Sequence, residues 1–345
     1  MEQPTIVIPG DGIGPEVTEQ TVATLDAMGL GLVFQVLDHV NAKTYLKTGI
    51  ALSDDDFERI RRSGRVLLGA VGDPQADKTP YARRVLLRIR SELDLFVNKR
   101  PARLLHDRFS PLHEGMPRDI DCVVIRENTE GLYAGIGGAL REGTDDAIAM
   151  DVELNTYHGV RRVLDYAFGI ARTSVCMVDK ANAVPNGGRL WQRCWTEAAQ
   201  RHPGVKSWHE YVDAAAMKLV SEPDRFDVIV TNNTYGDILS DIAAEIAGGI
   251  GTAASANINP LTGAGLFEPV HGTAPDIVGT GTANPVGAIL SGALLLESSG
   301  LPAEAEALRK AIEATVLAGR CTPDLGGTLS TREAAAAIRA ELGVR

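Results

Sequence analysis

Apolar and polar positions along the chain follow two alternating periods. Short apolar runs, "TIVIPG" at 5–10, "RVLLGAVG" at 65–72, "DCVVIRE" at 121–127, "TSVCMVDK" at 173–180 and "FDVIVTN" at 226–232, have the length and content of buried strands. Between them lie stretches with apolar residues at helical spacing, among them "PEVTEQTVATLDAM" at 15–28 and "ARRVLLRIRSEL" at 82–93. The tail, "ANPVGAILSGALLLESSG" followed by "AEAEALRKAIEATVLAG", reads as helix, apolar first and amphipathic after. Such alternation predicts an α/β architecture with parallel strands. Ligands in open α/β sheets gather at the carboxyl ends of strands. Three runs end there in polar residues: Arg126 with Glu127, Asp179 with Lys180, and Asn232 with Asn233.

Candidate chemistry clusters at those ends. "NTYGDILSD" at 233–241 puts Asp237 and Asp241 four residues apart directly after a strand. On a helix they share a face, where a divalent cation such as Mg²⁺ would relieve their repulsion; a solvated helix start is the plainer reading of the pair alone. From Lys78 to Arg103 the chain is locally basic. Arg90 falls on a predicted helix, Arg100 follows the strand-like "DLFVN", and Arg126 ends another strand. Guanidinium forks on separate elements suit a carboxylate-rich ligand. Tyr133 in "RENTEGLYAG" and Lys180 in "VDKANAV", with Asn182 two residues on, can act in acid–base steps where their surroundings tune them. Asp213 in "HEYVDAAAM" reads as a helix-entry acid. "FEPVHGTAPDIVGTGTANP" reads as a long ordered loop carrying His271 and Asp276, and an acid set on a ribose is the usual device for choosing NAD. "IPGDGIGPEV" spaces its glycines G-x-G-x-G, not G-x-G-x-x-G, so it predicts a tight strand-to-helix turn and only a weak cofactor signal.

Composition removes other classes. With 345 residues, 44% of them apolar, the chain can build two domains or one large one. A net charge of −11 speaks against nucleic acid as partner. The four cysteines stand far apart with no C-x-x-C pair, as in a reducing cytosol. No apolar run is long enough for a bilayer, and "MEQPTIVIPGDG" enters a strand without a signal pattern, so a cytoplasmic protein with no membrane partner is expected.

Taken in order, "IPGDGIGPEV", "LDLFVNKRPA", "RENTEGLYAG", "VDKANAV", "NTYGDILSD" and "FEPVHGTAPDIVGTGTANP" resemble the β-decarboxylating dehydrogenases, the isocitrate and 3-isopropylmalate dehydrogenase family, over essentially the whole chain. The resemblance implies the isocitrate/isopropylmalate dehydrogenase-like fold, two α/β domains sharing a central sheet, and not a Rossmann dinucleotide fold. It implies residues 1–100 with 250–345 as a cofactor-side domain and 101–249 as a dimerisation and metal-binding domain with a clasp arm near 134–150. The active site would lie in the cleft of a homodimer with shared sites. Arg90, Arg100 and Arg126 would hold the malate carboxylates. Asp237 and Asp241, with Asp213 contributed across the dimer, would bind Mg²⁺ or Mn²⁺. Lys180, also reaching in across the dimer, would be the general base and Tyr133 the acid. NAD would lie against Ile13, Asn182, His271, Gly272, Ala274, Asp276 and Asn284.

The substrate-selecting helix departs from the family pattern. "TPYARRVLLRIR" has Ala82 where isopropylmalate enzymes place a Glu, followed by Arg83 and Arg84. The expectation is therefore NAD-dependent, metal-dependent oxidative decarboxylation of a 3-substituted malate with a polar or anionic C3 group (isocitrate, homoisocitrate or a phosphonate analogue). Arg84 is taken to lie nearer the face of Arg90 than Arg83 does. The alternatives are 3-isopropylmalate, a tartrate- or malate-type substrate, and a catalytically silent regulatory subunit.

Overall fold

The computed structural model describes residues 3–116 and 119–344. The chain opens with β1 (Thr5–Gly10), α1 (Gly14–Ala27), β2 (Phe34–Val36), α2 (Ala42–Thr48), α3 (Asp54–Ser63), β3 (Arg65–Ala70) and α4 (Tyr81–Glu92). The middle supplies β4 (Val97–Arg103), β5 (Asp121–Glu127), β6 (Gly137–Leu140), β7 (Ile148–Asp151), α5 (Tyr157–Ile170), β8 (Ser174–Asp179), α6 (Pro185–Arg201), β9 (Lys206–Tyr211), α7 (Val212–Ser221), β10 (Val228–Thr231) and α8 (Asn233–Ile246). The last stretch adds β11 (Ala254–Asn259), β12 (Ala264–Pro269), α9 (Val286–Ser298), α10 (Pro302–Leu317) and α11 (Thr331–Glu341).

Two α/β units result. The first comprises Met1–Leu95, Leu104–Pro111 and Ala247–Arg345, the second Phe96–Arg103 and Leu112–Ile246. The division expected at residues 100 and 250 is redrawn. The strand carrying Arg100 belongs with β5, its pairing partner, and so starts the second unit at Phe96, while Leu104–Pro111 returns to the first. In the first unit the strand order is β2-β1-β3-β12-β11, parallel except for β11 against β12; in the second it is β4-β5-β10-β8-β9, parallel except for β4 against β5. The expected α/β architecture with parallel strands is present, with two antiparallel pairs added; β11 returns to β12 through a short turn at 260–263 that no crossover helix could fill.

Burial follows the apolar runs. Every residue of β8 and β10 is buried, as strands covered on both faces must be. In the first unit, Ile6 and Ile8 of β1 pack with Val66 and Leu68 of β3 and with Tyr81, Val85 and Ile89 of α4. On another face Leu25, Ile289, Leu308 and Ile338 bring α1, α9, α10 and α11 together. Helix ends are set by local chemistry: Ser53 caps α3, three aspartates fill its first turn, and Gly64 closes it in the left-handed conformation. Ser330 and Glu333 make a capping box for α11. Hairpin β6–β7 is fully exposed, with Leu140, Ile148 and Met150 bare. All four cysteines are buried free thiols. Among the described residues, no helix is long and apolar enough to cross a membrane.

The glycine turn after β1 is explained by backbone packing. A Cβ on Gly10 would lie 1.9 Å from the Ala70 carbonyl oxygen, and one on Gly12 would lie 2.1 Å from that of Thr273. Between these glycines, Asp11 is buried and ties three segments together. Its carboxylate accepts from the amides of Ala42 (2.7 Å) and Gly72 (3.0 Å) and from the Tyr81 hydroxyl (2.8 Å). Asp11→Ala would orphan a buried amide, a part-buried one and a buried phenol, each buried group costing about 1–3 kcal/mol when left without a partner. We expect a loss of about 3 kcal/mol in urea denaturation; a change below about 1 kcal/mol would show the tie to be dispensable.

Candidate active site

Arg126 ends β5 and is 2% exposed. Its Nε and Nη2 donate to Oδ1 of Asn233 at 2.9 and 2.7 Å, and Nη1 donates to Asp237. From β4, Arg100 donates through Nη1 to Ser240 (2.7 Å) and Asp241 (3.0 Å), while its Nη2 stands 3.5 Å from Asp237. The Tyr133 hydroxyl donates to the other oxygen of Asp237 at 2.7 Å, and the Arg126 guanidinium lies 4.9 Å from the centre of the Tyr133 ring. Burial and the neighbouring Asp237 raise the phenol's pKa, so Tyr133 keeps its proton at neutral pH.

The local sequence produces this gathering. Asp237 and Asp241 sit one turn apart on α8, with the Asn232 side chain accepting from the Tyr235 amide at the helix start. The "RENTEG" turn is shaped by Glu127, whose buried carboxylate accepts from the amides of Thr129 and Glu130. Gly131, in the left-handed region, then redirects the chain towards Tyr133. At the end of β8, Lys180 donates to Asp213 at 2.5 Å, which holds the Asp213 carboxyl below the usual range. Asn182 lies exposed in the turn that follows.

Asp237 and Asp241 suit a shared cation: one guanidinium, that of Arg100, already reaches both carboxylates. Hard oxygen donors favour Mg²⁺ or Mn²⁺. Asp213 does not join them within the chain but pairs with Lys180. Among the described residues no group of three acids, histidines or cysteines is ready to hold a metal.

In the first unit, Arg90 donates to Glu268 at 2.8 Å, and Asn257 donates to the same oxygen at 2.9 Å. Phe267–Pro269, expected in a loop, form the end of β12; the loop proper starts at Val270. The Ile13 amide donates to the Thr273 carbonyl at 3.0 Å, and the Ile13 side chain packs with Val17, Ala274, Ala283 and Ala288. Ala274 takes a left-handed φ of 41° and starts the short turn Pro275–Ile277, which leaves Asp276 exposed. Gly272 is exposed, with open space where a Cβ would point. Asn284 donates to Asp324 at 2.8 Å and accepts from the Val286 amide. His271 is 9% exposed and its Nε2 is buried without a hydrogen-bond partner. An orphaned buried nitrogen, a bare glycine and an exposed acid in one loop fit a ribose-bearing cofactor.

Helix α4 corrects the expectation for Arg84. Arg83 stands seven residues before Arg90 and so within about 20° of its direction, whereas Arg84 lies about 120° away. The face of Arg90 is made of Arg83, Leu86 and Leu87, at helical i, i+3, i+4 and i+7 spacing. Ala82 is half-buried and packs against the same core cluster as Leu86 one turn on. Asn233, Glu268, Asn257 and Ser240 were given no role by sequence reasoning. Asn233 was visible as a strand-end polar residue, but its partner Arg126 lies 107 positions away.

Residues 5–338 match the family model described as isocitrate/isopropylmalate dehydrogenase. The chain is 48% identical over 326 residues to a 3-isopropylmalate dehydrogenase of Leifsonia xyli, covering 91% of this chain and 90% of that protein. It is 45% identical to one of Corynebacterium jeikeium, covering 97% and 98%. Among solved structures it resembles the isocitrate dehydrogenase of Methylococcus capsulatus with a TM-score of 0.89 and 35% identity, over 99% of both chains. The fold is that of the decarboxylating dehydrogenases. The chain belongs to the isocitrate/isopropylmalate dehydrogenase family, an enzyme family of NAD-dependent oxidative decarboxylation of hydroxy acids. Membership implies the use of NAD and a divalent metal.

Burial lowers the pKa of His271 from 6.5, so the folded protein disfavours its charged form. Its contribution to stability is complete above the unfolded pKa and is lost as pH falls. Urea midpoints are expected to drop between about pH 7 and 5 in the wild type, and less steeply in His271→Gln. Parallel curves would remove His271 from the account.

Proposed function

We propose that the enzyme oxidatively decarboxylates 3-isopropylmalate with NAD as a homodimer. The observation carrying the substrate is the face of α4: two half-buried leucines, Leu86 and Leu87, lie one turn before Arg90. They offer an isopropyl group apolar surface, and the relatives called 3-isopropylmalate dehydrogenase support the same choice. The expected polar or anionic C3 group rested on Ala82 and the two arginines beside it; Arg84 lies off that face, whereas Arg83 lies on it one turn before the leucines.

Arg90, Arg100 and Arg126 hold the carboxylates. Asp237 and Asp241, completed by Asp213 across the dimer, hold Mg²⁺ or Mn²⁺. When bound, NAD would supply the hydride acceptor and the metal would supply Lewis-acid stabilisation of the C2 oxygen. Lys180 takes the proton of the C2 hydroxyl through Nζ. Loss of CO₂ leaves an enolate, and Tyr133, whose hydroxyl stays protonated, delivers its proton to C3. His271, Gly272, Ala274, Asn284, Ile13 and Asn182 line the cofactor. Asp276 accepts from the adenosine ribose and repels a 2′-phosphate, and "HGTAPDIVG" carries no Lys or Arg to receive one.

A panel of 3-isopropylmalate, isocitrate, homoisocitrate, tartrate and malate, each with NAD or NADP and Mn²⁺, tests this. The highest kcat/KM is expected for 3-isopropylmalate with NAD, and Arg83→Ala should change its KM less than about threefold. If isocitrate or homoisocitrate wins and Arg83→Ala raises its KM, the anionic reading is right; preference for NADP would overturn the role of Asp276.

Metal dependence has its own test. Asp241→Asn should cut turnover about 100-fold while the protein stays folded, partly restored by excess Mn²⁺. Full activity after EDTA treatment and desalting would refute the metal site.

A further inference from the structure

Arg126 carries five N–H donors on a long side chain, and a fork serves ligand binding only if its plane is fixed. Two features of α8 fix it. Gly236 lets the helix approach: a Cβ there would lie 2.6 Å from the Cβ of Arg126. Asn233, 1% exposed, takes both Nε and Nη2 on one oxygen. Its amide nitrogen donates to the Glu130 carbonyl at 3.0 Å, so the side chain cannot flip without turning its NH₂ onto the guanidinium and its oxygen onto a carbonyl. The Nε edge of Arg126 is thus occupied by protein, and Nη1 is aimed at Asp237.

We infer that Asn233 is a positioning residue of the reaction: through Oδ1 it sets the plane in which Arg126 meets Asp237 and the substrate carboxylate. The inference rests on the proposed role of Arg126 and concerns the acceptor oxygen of Asn233 specifically. Asn233→Asp keeps an oxygen against Arg126 but loses the donor to Glu130, whereas Asn233→Ala loses both. The experiment measures kcat and KM on the full-length chain for the hydroxy acid and NAD. It compares the wild type, both Asn233 variants, Arg126→Ala, and Arg126→Ala combined with Asn233→Ala, using the acid of the panel that is turned over fastest.

Asn233→Ala should raise KM for the hydroxy acid about tenfold or more, with KM for NAD within about twofold. Asn233→Asp should recover to within about threefold of wild type, and Asn233→Ala should add nothing once Arg126 is gone. An aspartate variant as poor as the alanine one overturns the inference, as does an alanine effect undiminished in the Arg126→Ala background. An unchanged KM in Asn233→Ala beside a damaged Arg126→Ala overturns the role of Asn233 alone. An unchanged KM in Arg126→Ala overturns the substrate role of Arg126 and this inference with it. If Asn233→Ala fails to fold, the aspartate variant decides: KM near wild type supports the role, and KM raised as far as in Arg126→Ala refutes it.

Discussion

One carboxylate organises the second unit's site. Asp237 meets Arg126, Arg100 and the Tyr133 hydroxyl, which reach it from two strands and a loop. A buried guanidinium such as that of Arg126 is tolerable only with opposite charge and hydrogen bonds close by. Asp237 supplies the charge and Asn233 the neutral acceptor, so β5 can end in a buried cation. The same carboxylate raises the phenol's pKa and so keeps its proton in place. Two guanidinium groups, a phenol and two carboxylates are thereby drawn to one end of one helix.

The first unit is organised by different means. Its loops meet through backbone atoms at Gly10 and Gly12, with Asp11 accepting from three segments at once. Such packing holds the Ile13 and Thr273 segments together irrespective of what their side chains do. Glu268 anchors Arg90 from β12, so the α4 arginine is positioned by a strand that is 178 residues distant in sequence.

Much of this was legible in the chain. The strand runs at 121–127 and 173–180 and the helix at 82–93 fell within a residue or two of the observed elements, because both their period and their ends are written locally. Antiparallel β11–β12 was not, since "ASANIN" and "AGLFEP" carry no clear alternation and the last three residues of the second were absorbed into a supposed loop. Arg126, Asp237 and Tyr133 were identified individually, yet what one does to another depends on contacts across 104 to 111 positions. The side taken by Arg84 failed for a simpler reason: six residues carry a helix well past a full turn, and seven return it to the same face.

The four thiols lend the molecule a chemical clock. Burial pushes the Cys122 thiol up to about 12 and that of Cys194 to about 11, and raises Cys176 and Cys321 as well. A thiol must be both exposed and ionised to react, and in the native fold these are neither. Alkylation can then proceed only as fast as the strands and helices that cover them open. Cys122 on β5 and Cys176 on β8 lie within the second unit, whereas Cys321 follows α10 in the first. The order in which the thiols become labelled therefore records the order in which the two units breathe.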